Sequence, residues 1–281
     1  MKSRFWVIGG YAGFFLASFL FSLYLTFDPS HLVTGYLQQF AQQKGMQVSV
    51  AAIEKYRLSG IIAEDIELQH PGLRTPLKVD GLQARLSLWP LLLGRKSIGF
   101  QASLYGGKIF GRITRGRNSL RANLEVRSVD LSKLEPAREK SLWAMAKLTG
   151  KADLDLASKD DPKKWRGALK ASLGPGRLTS FSYQGFELPE IQIEGMNLEL
   201  NLAGGKAGIK TLEIESTDFP INGFGQVELR SPVRQSPLQF QVKVDPSEQY
   251  LEKVPPLKAM LPSDKTIKYT GTLGAIIGAG I

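Results

Sequence analysis

Leu120-Arg121-Ala122-Asn123-Leu124-Glu125-Val126-Arg127 alternates apolar and polar residues without a break. In an extended chain Leu120, Ala122, Leu124 and Val126 face one way, and the four polar residues face the other. A period of two marks a strand with one apolar and one wet face, the usual state in antiparallel sheets. Leu238, Phe240, Val242 and Val244 alternate with Gln239, Gln241, Lys243 and Asp245 in the same way. Similar patterns occupy 152–156, 169–173, 196–202, 221–229 and 267–273.

Turn signals separate these runs: Gly106-Gly107, Gly116-Arg117-Asn118, Gly174-Pro175-Gly176, Gly204-Gly205 and Asn222-Gly223. Near Gly195 the alternation changes phase. Ile191 and Ile193 are odd-numbered, whereas Met196, Leu198, Leu200 and Leu202 are even, which predicts a bulge or corner. The β-pattern begins at Val48. One interruption, 131–148, looks helical: Leu134, Leu142, Met145 and Leu148 fall at near-helical spacing, with Pro136 in the first turn and Gly150 beyond. A second helical candidate, 248–260, is compromised by Pro255-Pro256.

Upstream of the strands the character of the chain changes. Residues 5–27 run for 23 positions without a charge, with Lys2 and Arg4 before them and Asp28 after. A helix of that length reaches roughly 34 Å, enough to cross a hydrocarbon core of about 30 Å. Phe5 and Phe27 bound the run and Leu16 lies near its centre. Trp6, Tyr11 and Tyr24 lie toward its ends, where amphipathic rings favour the headgroup zone. A cleaved signal peptide would carry an apolar region of about 7–15 residues and a small-residue cleavage site, so a retained anchor is the expectation. The basic flank then keeps residues 1–4 in the cytoplasm and exports the rest. Gly9 and Gly13 form one GxxxG, a close-packing surface if the anchor dimerises. Residues 28–47 read as a juxtamembrane amphipathic helix: Pro29-Ser30 can start it, Leu32, Tyr36, Leu37 and Phe40 share a face, and Gly45 can end it.

The sequence thus predicts a mainly β protein, with a single N-terminal transmembrane helix followed by an elongated, mostly antiparallel β-sheet domain over 48–281. That domain divides into segments 48–130 and 150–281, and short helices are expected near 30–44 and 132–148. The exported part holds 34 of the 36 basic residues and all 26 acidic ones, leaving +8. A basic exported domain meets anionic lipid headgroups, peptidoglycan or acidic proteins rather than nucleic acid. Cysteine is absent, so stability rests on packing and strand pairing.

Catalytic chemistry is not visible. His31 and His70 are the only histidines, and neither has a second histidine or a carboxylate at metal-ligand spacing. No G-x-S-x-G element supports a serine nucleophile, and no phosphate-binding glycine loop precedes a helix. Asp160-Asp161, beside Pro162-Lys163-Lys164, reads as an exposed charged turn. No enzyme, cofactor or metal is expected. The richest cationic stretch is Lys108, Arg112, Arg115, Arg117 and Arg121. Lys108 and Arg112 share a strand face, and Arg115 and Arg117 belong to the turn at Gly116. They are candidates for lipid headgroups or an acidic partner, against a plain solvated strand face and hairpin tip.

Leu86-Ser87-Leu88-Trp89-Pro90-Leu91-Leu92-Leu93-Gly94-Arg95-Lys96, then Ile98-Gly99-Phe100-Gln101-Ala102 and Tyr105-Gly106-Gly107-Lys108-Ile109-Phe110-Gly111, resemble a motif of AsmA-like envelope proteins. There a strand ends in a short Pro-Leu-Leu helix, and the next strands read apolar, small, Gly-Gly, apolar, Gly. Asp130-Leu131-Ser132-Lys133-Leu134 and 148–156 fit the same grammar. With one N-terminal anchor, the chain is similar to the protein N family of type II secretion systems. The resemblance implies a bacterial inner-membrane, single-pass subunit without catalytic residues, facing the periplasm and binding other subunits of the assembly platform. Its exposed sheet edges suit that role. The resemblance to AsmA-like proteins implies the alternative, a lipid-binding or lipid-transport protein with a half-open β-groove lined by apolar residues. Alternation alone does not separate a closed core from a lipid-lined groove.

Overall fold

The computed structural model describes residues 45–274 except 58, 70–75, 88, 91–93, 134–145, 159–160, 179–181, 184–185 and 188, together with single positions 18, 35, 38, 39 and 43. The expected anchor over 5–27 lies outside the described residues apart from Ser18, which is helical. No helix among the described residues is long and apolar enough to cross a membrane. Within the expected juxtamembrane helix, Gly35, Gln38, Gln39 and Gln43 are helical and exposed, and Gly45 (φ +67°) precedes the first strand.

Among the described residues, thirteen strands form one antiparallel sheet. Its first eight members follow chain order: β1 (Gln47–Tyr56), β2 (Gly60–Gln69), β3 (Leu77–Leu86), β4 (Lys96–Leu104), β5 (Gly107–Arg115), β6 (Leu120–Asp130), β7 (Lys147–Leu156) and β8 (Trp165–Leu173). The chain then leaves the sheet for β9 (Gly176–Leu178), β10 (Ser182–Tyr183), β11 (Phe186–Glu187) and β12 (Ile191–Ile193). It returns with β13 (Gly195–Ala203) paired to β8, and continues through β14 (Lys206–Glu215), β15 (Ile221–Glu228), β16 (Pro237–Val244) and β17 (Thr266–Thr272). β9 pairs with β12 and β10 with β11 in two separate ribbons. The phase change near Gly195 is therefore a real corner. Ile191 and Ile193 belong to a ribbon, Glu194 bends, and Gly195 opens a strand of the large sheet.

Register carries the alternation of single strands across the whole sheet. Starting at Ile61 on β2, direct cross-strand neighbours run through Ala84, Phe100, Gly111, Leu124, Ala152 and Leu169. The same row continues through Leu200, Ile209, Gly225 and Phe240 to Tyr269 on β17. Every position in this row is apolar or glycine. The neighbouring row through Arg112, Asn123, Asp153 and Ala168 to Asn201 is mostly polar and points to the other side. At about 4.8 Å per strand, the apolar row is about 50 Å long.

Among the described residues a conventional core forms at one end of this face. α1 (Glu248–Lys253) and α2 (Pro255–Met260) pack there with β12. Ser247 caps α1, its Oγ accepting from the Tyr250 amide at 3.2 Å. Pro255 and Pro256 divide the expected single helix into two. They fall in the first turn of α2, where a missing amide proton does no harm. Tyr250 is buried edge-on against Phe219, with ring centroids 5.4 Å apart, and its hydroxyl donates to the Pro189 carbonyl at 3.1 Å. Ile191, Ile193, Val244, Val254 and Leu257 complete the buried cluster, and Ile214, Ile221 and Val242 join it from the sheet.

Two expectations are corrected. The helix predicted over 132–148 does not extend through its last residues. Leu131–Lys133 is a single 3₁₀ turn, 134–145 lie outside the described residues, and Lys147 and Leu148 are already in β7. Asn222-Gly223 is not a turn but lies inside β15, opposite Lys243 and Val242. Glycine serves there to let neighbours approach, since a Cβ on Gly223 would come within 2.8 Å of Leu212 Cδ2 and 3.2 Å of Phe240 Cζ.

Candidate functional site

On β4 to β6 the apolar face is exposed from mid-strand to the end opposite the helical cap, and Tyr269 on the edge strand β17 is also 39 % exposed. Tyr105 and Gly106 both have positive φ (49° and 75°) and form the two-residue turn that joins β4 to β5. That turn sets the register in which Ile98 faces Ile113 and Lys96 faces Arg115. Ile98 is 45 % exposed, Ile113 39 % and Leu124 37 %. Side chains of this size in the middle of a sheet normally find cover from a second layer. Among the described residues no helix or sheet supplies that cover between β4 and β6.

Two residues beyond the Ile98–Ile113 pair, about 7 Å along the strands, the apolar face ends in cations. Alternation puts Lys96 on the side of Ile98 and Phe100, and Arg115 on the side of Ile113. Lys96, Arg115, Gly116 and Arg117, with Gly94, line an open cavity of about 550 Å³. Lys96, Arg115 and Arg117 are exposed. None of the three forms an ion pair among the described residues. Trp89, 75 % exposed, belongs to the β3–β4 connection at the same end. That connection is closed by hydrogen bonds from the Ser87 amide to the Ser97 carbonyl at 2.8 Å and from the Arg95 amide to the Pro90 carbonyl at 2.9 Å.

The polar face is electrostatically different. Glu125 accepts from Arg127 at 2.9 Å and also pairs with Lys151 at 3.5 Å. The Arg127 hydrogen bond is the main reason its carboxyl titrates below the usual range. Glu199 sits between Lys170 at 3.3 Å and Lys210 at 3.4 Å and is shifted down in the same way, Lys170 contributing most. Arg121 pairs with Asp155 at 2.5 Å. A second depression, about 380 Å³, is lined by Lys151, Lys170 and Glu199 among others. Its cations are already neutralised, so it offers an anion little.

The four candidate contact residues Lys108, Arg112, Arg115 and Arg117 therefore divide. Lys108 and Arg112 lie on the polar face of β5, as their spacing predicts. Arg115 ends β5 and Arg117 stands at the hairpin tip, both at the open end of the apolar face. Sequence spacing misses Lys96 as a partner of Arg115. A signal for it exists, because a two-residue turn at 105–106 makes residue numbers across the hairpin add to 211. Phe5, Trp6, Tyr11, Leu16, Tyr24 and Phe27 of the expected anchor lie outside the described residues, as do His31, His70 and Asp160. Asp161 has a structural role. Its carboxylate caps the 3₁₀ turn Pro162–Lys164, accepting from the Lys163 amide at 3.1 Å. Among the described residues no three His, Asp or Glu side chains come together as a metal-binding group.

No protein-family model, curated protein or solved structure matches this chain. The likeness to AsmA-like proteins and to the protein N family stands on its sequence motifs alone.

Proposed function

We propose that this protein is a non-enzymatic, membrane-tethered carrier of acyl chains, with the apolar face of the large sheet as its binding surface. One observation carries the reading: an unbroken apolar row crosses β2 to β17 while Ile98, Ile113 and Leu124 remain open to solvent. At about 25 cal/mol per Å², leaving such surface wet forgoes stabilisation that an apolar ligand would restore. An acyl chain is the occupant that fits. It needs no hydrogen-bond partners along a face that offers none, and the cations at the open end suit the polar group such a chain carries. A row about 50 Å long exceeds one acyl chain, so the face has room for several chains or for passage along it. The uncharged run 5–27, as an inner-membrane anchor, would hold this face beside a supply of lipid on the periplasmic side.

Native mass spectrometry of the full chain, purified in mild detergent, tests the proposal. Co-purified lipid released only on unfolding is the expected result. A chain free of lipid when extracted from its own membrane would refute it.

A second reading, a periplasmic assembly module of a type II secretion system, is favoured by the two sheet edges. β1 and β17 each pair on one side only among the strands described, and a partner strand can add to such an edge. Crosslinking in native membranes that captured assembly-platform subunits at these strands would favour it.

A further inference from the structure

We infer that Lys96, Arg115 and Arg117 form a headgroup site that selects anionic, phosphate-bearing amphiphiles and fixes the direction in which they lie on the sheet. The inference rests on the acyl-binding reading and adds chemistry to it. Three cations share one cavity of about 550 Å³, and no acidic side chain among the described residues lines it. Elsewhere on the sheet, Arg121, Arg127, Lys151, Lys170 and Lys210 all have carboxylate partners. Cations left unpaired and close together repel one another, and a phosphate oxyanion relieves that repulsion through charge-assisted hydrogen bonds.

Position supplies the second argument. Lys96 and Arg115 sit on the same side of β4 and β5 as Ile98 and Ile113, about two residues farther along the strands. A phosphate held by Lys96 and Arg115 therefore places the first methylenes of its chain over the isoleucine pair, pointing toward the buried end at Val129. Trp89 lies at the same end, largely exposed, and an indole suits the boundary between headgroup and chain. Lys108 and Arg112 also form no ion pair among the described residues, but they stand on the polar face, where the one apolar side chain between them, Phe110, is covered by Arg127 and leads to no apolar row. They serve as the control.

The test uses the full chain in detergent micelles doped with phosphatidylglycerol or phosphatidylcholine of matched chain length, with bound lipid counted by native mass spectrometry. The wild-type chain is expected to prefer phosphatidylglycerol roughly tenfold, the scale of one or two charge-assisted hydrogen bonds. The triple variant Lys96→Gln/Arg115→Gln/Arg117→Gln should hold both lipids alike while keeping its total lipid. Lys108→Gln/Arg112→Gln should keep the wild-type preference. No preference in the wild type, or equal loss in the control variant, would overturn the inference while leaving acyl binding intact. Full displacement of the lipid by excess inorganic phosphate would also overturn it, by making the cavity a free-phosphate site. A wild-type chain that bound neither lipid would defeat the acyl-binding reading, and the headgroup site with it.

Discussion

Ile98 and Ile113 stand directly opposite each other across β4 and β5, yet each keeps about two-fifths of its surface in solvent. A cross-strand isoleucine pair left open has little to lose in stability when it is changed. Ile98→Asp and Ile113→Asp are expected to cost about 1–2 kcal/mol each in denaturant unfolding, less than the loss of a fully buried isoleucine. Both should strongly reduce co-purified lipid, because a carboxylate would put charge where the acyl chain packs and would draw Lys96 and Arg115 on the same face away from the headgroup. Stable variants that retained full lipid occupancy would show that chains bind elsewhere.

Gly107 behaves in the opposite way. A Cβ there would sit 2.5 Å from Val129 Cα and 2.7 Å from the Arg127 carbonyl oxygen, where β6 bulges at Ser128 (φ +52°). Backbone cannot move aside as a side-chain tip can. Gly107→Ala is expected to destabilise the sheet by about 1–3 kcal/mol, read as a shifted urea midpoint with unchanged slope.

Tyr250 makes the cap sensitive to alkali. Burial, helped by the nearby Asp218 charge, pushes its phenol up to about 12 from an ordinary value near 10. The folded state thus holds the proton more tightly than the unfolded one. The associated stability is full below pH 10 and disappears as pH rises through 12, a loss of roughly 2–3 kcal/mol. Tyr250→Phe should cost about 1 kcal/mol at neutral pH by deleting the bond to the Pro189 carbonyl, and should flatten that alkaline decline. Parallel stability curves for the two proteins from pH 9 to 12 would contradict the assignment.

Leu16 lies near the middle of the uncharged run 5–27. If that run is the anchor, Leu16→Arg adds about 2.5–3.5 kcal/mol to insertion and should move much of the protein out of the membrane pellet. Unchanged fractionation would mean that another part of the chain holds it there.

Much of the fold was legible because a period of two needs no partner to be seen. Residues 120–127, 238–244 and 267–272 all lie in strands. Leu148, Gly150, Ala152 and Leu154 already alternate, so the early start of β7 was readable, but the helical spacing upstream obscured it. Asn222-Gly223 misled because the residue pair that suits a hairpin turn also suits a strand crowded by Leu212 and Phe240. The cationic end was only half legible. Arg115 and Arg117 are neighbours in sequence, but Lys96 joins them through the register of a hairpin, which composition does not carry.

The acyl-binding face is tested most directly by light-activated crosslinking from chosen strand positions in the native membrane. A benzophenone side chain placed at Ile113 or Leu124, on the apolar face, is expected to yield lipid adducts detectable by mass spectrometry. The same probe at Arg112 or Asn123, the adjacent residues on the polar face, should yield none. Equal lipid labelling from both faces, or protein adducts alone from Ile113 and Leu124, would contradict the account.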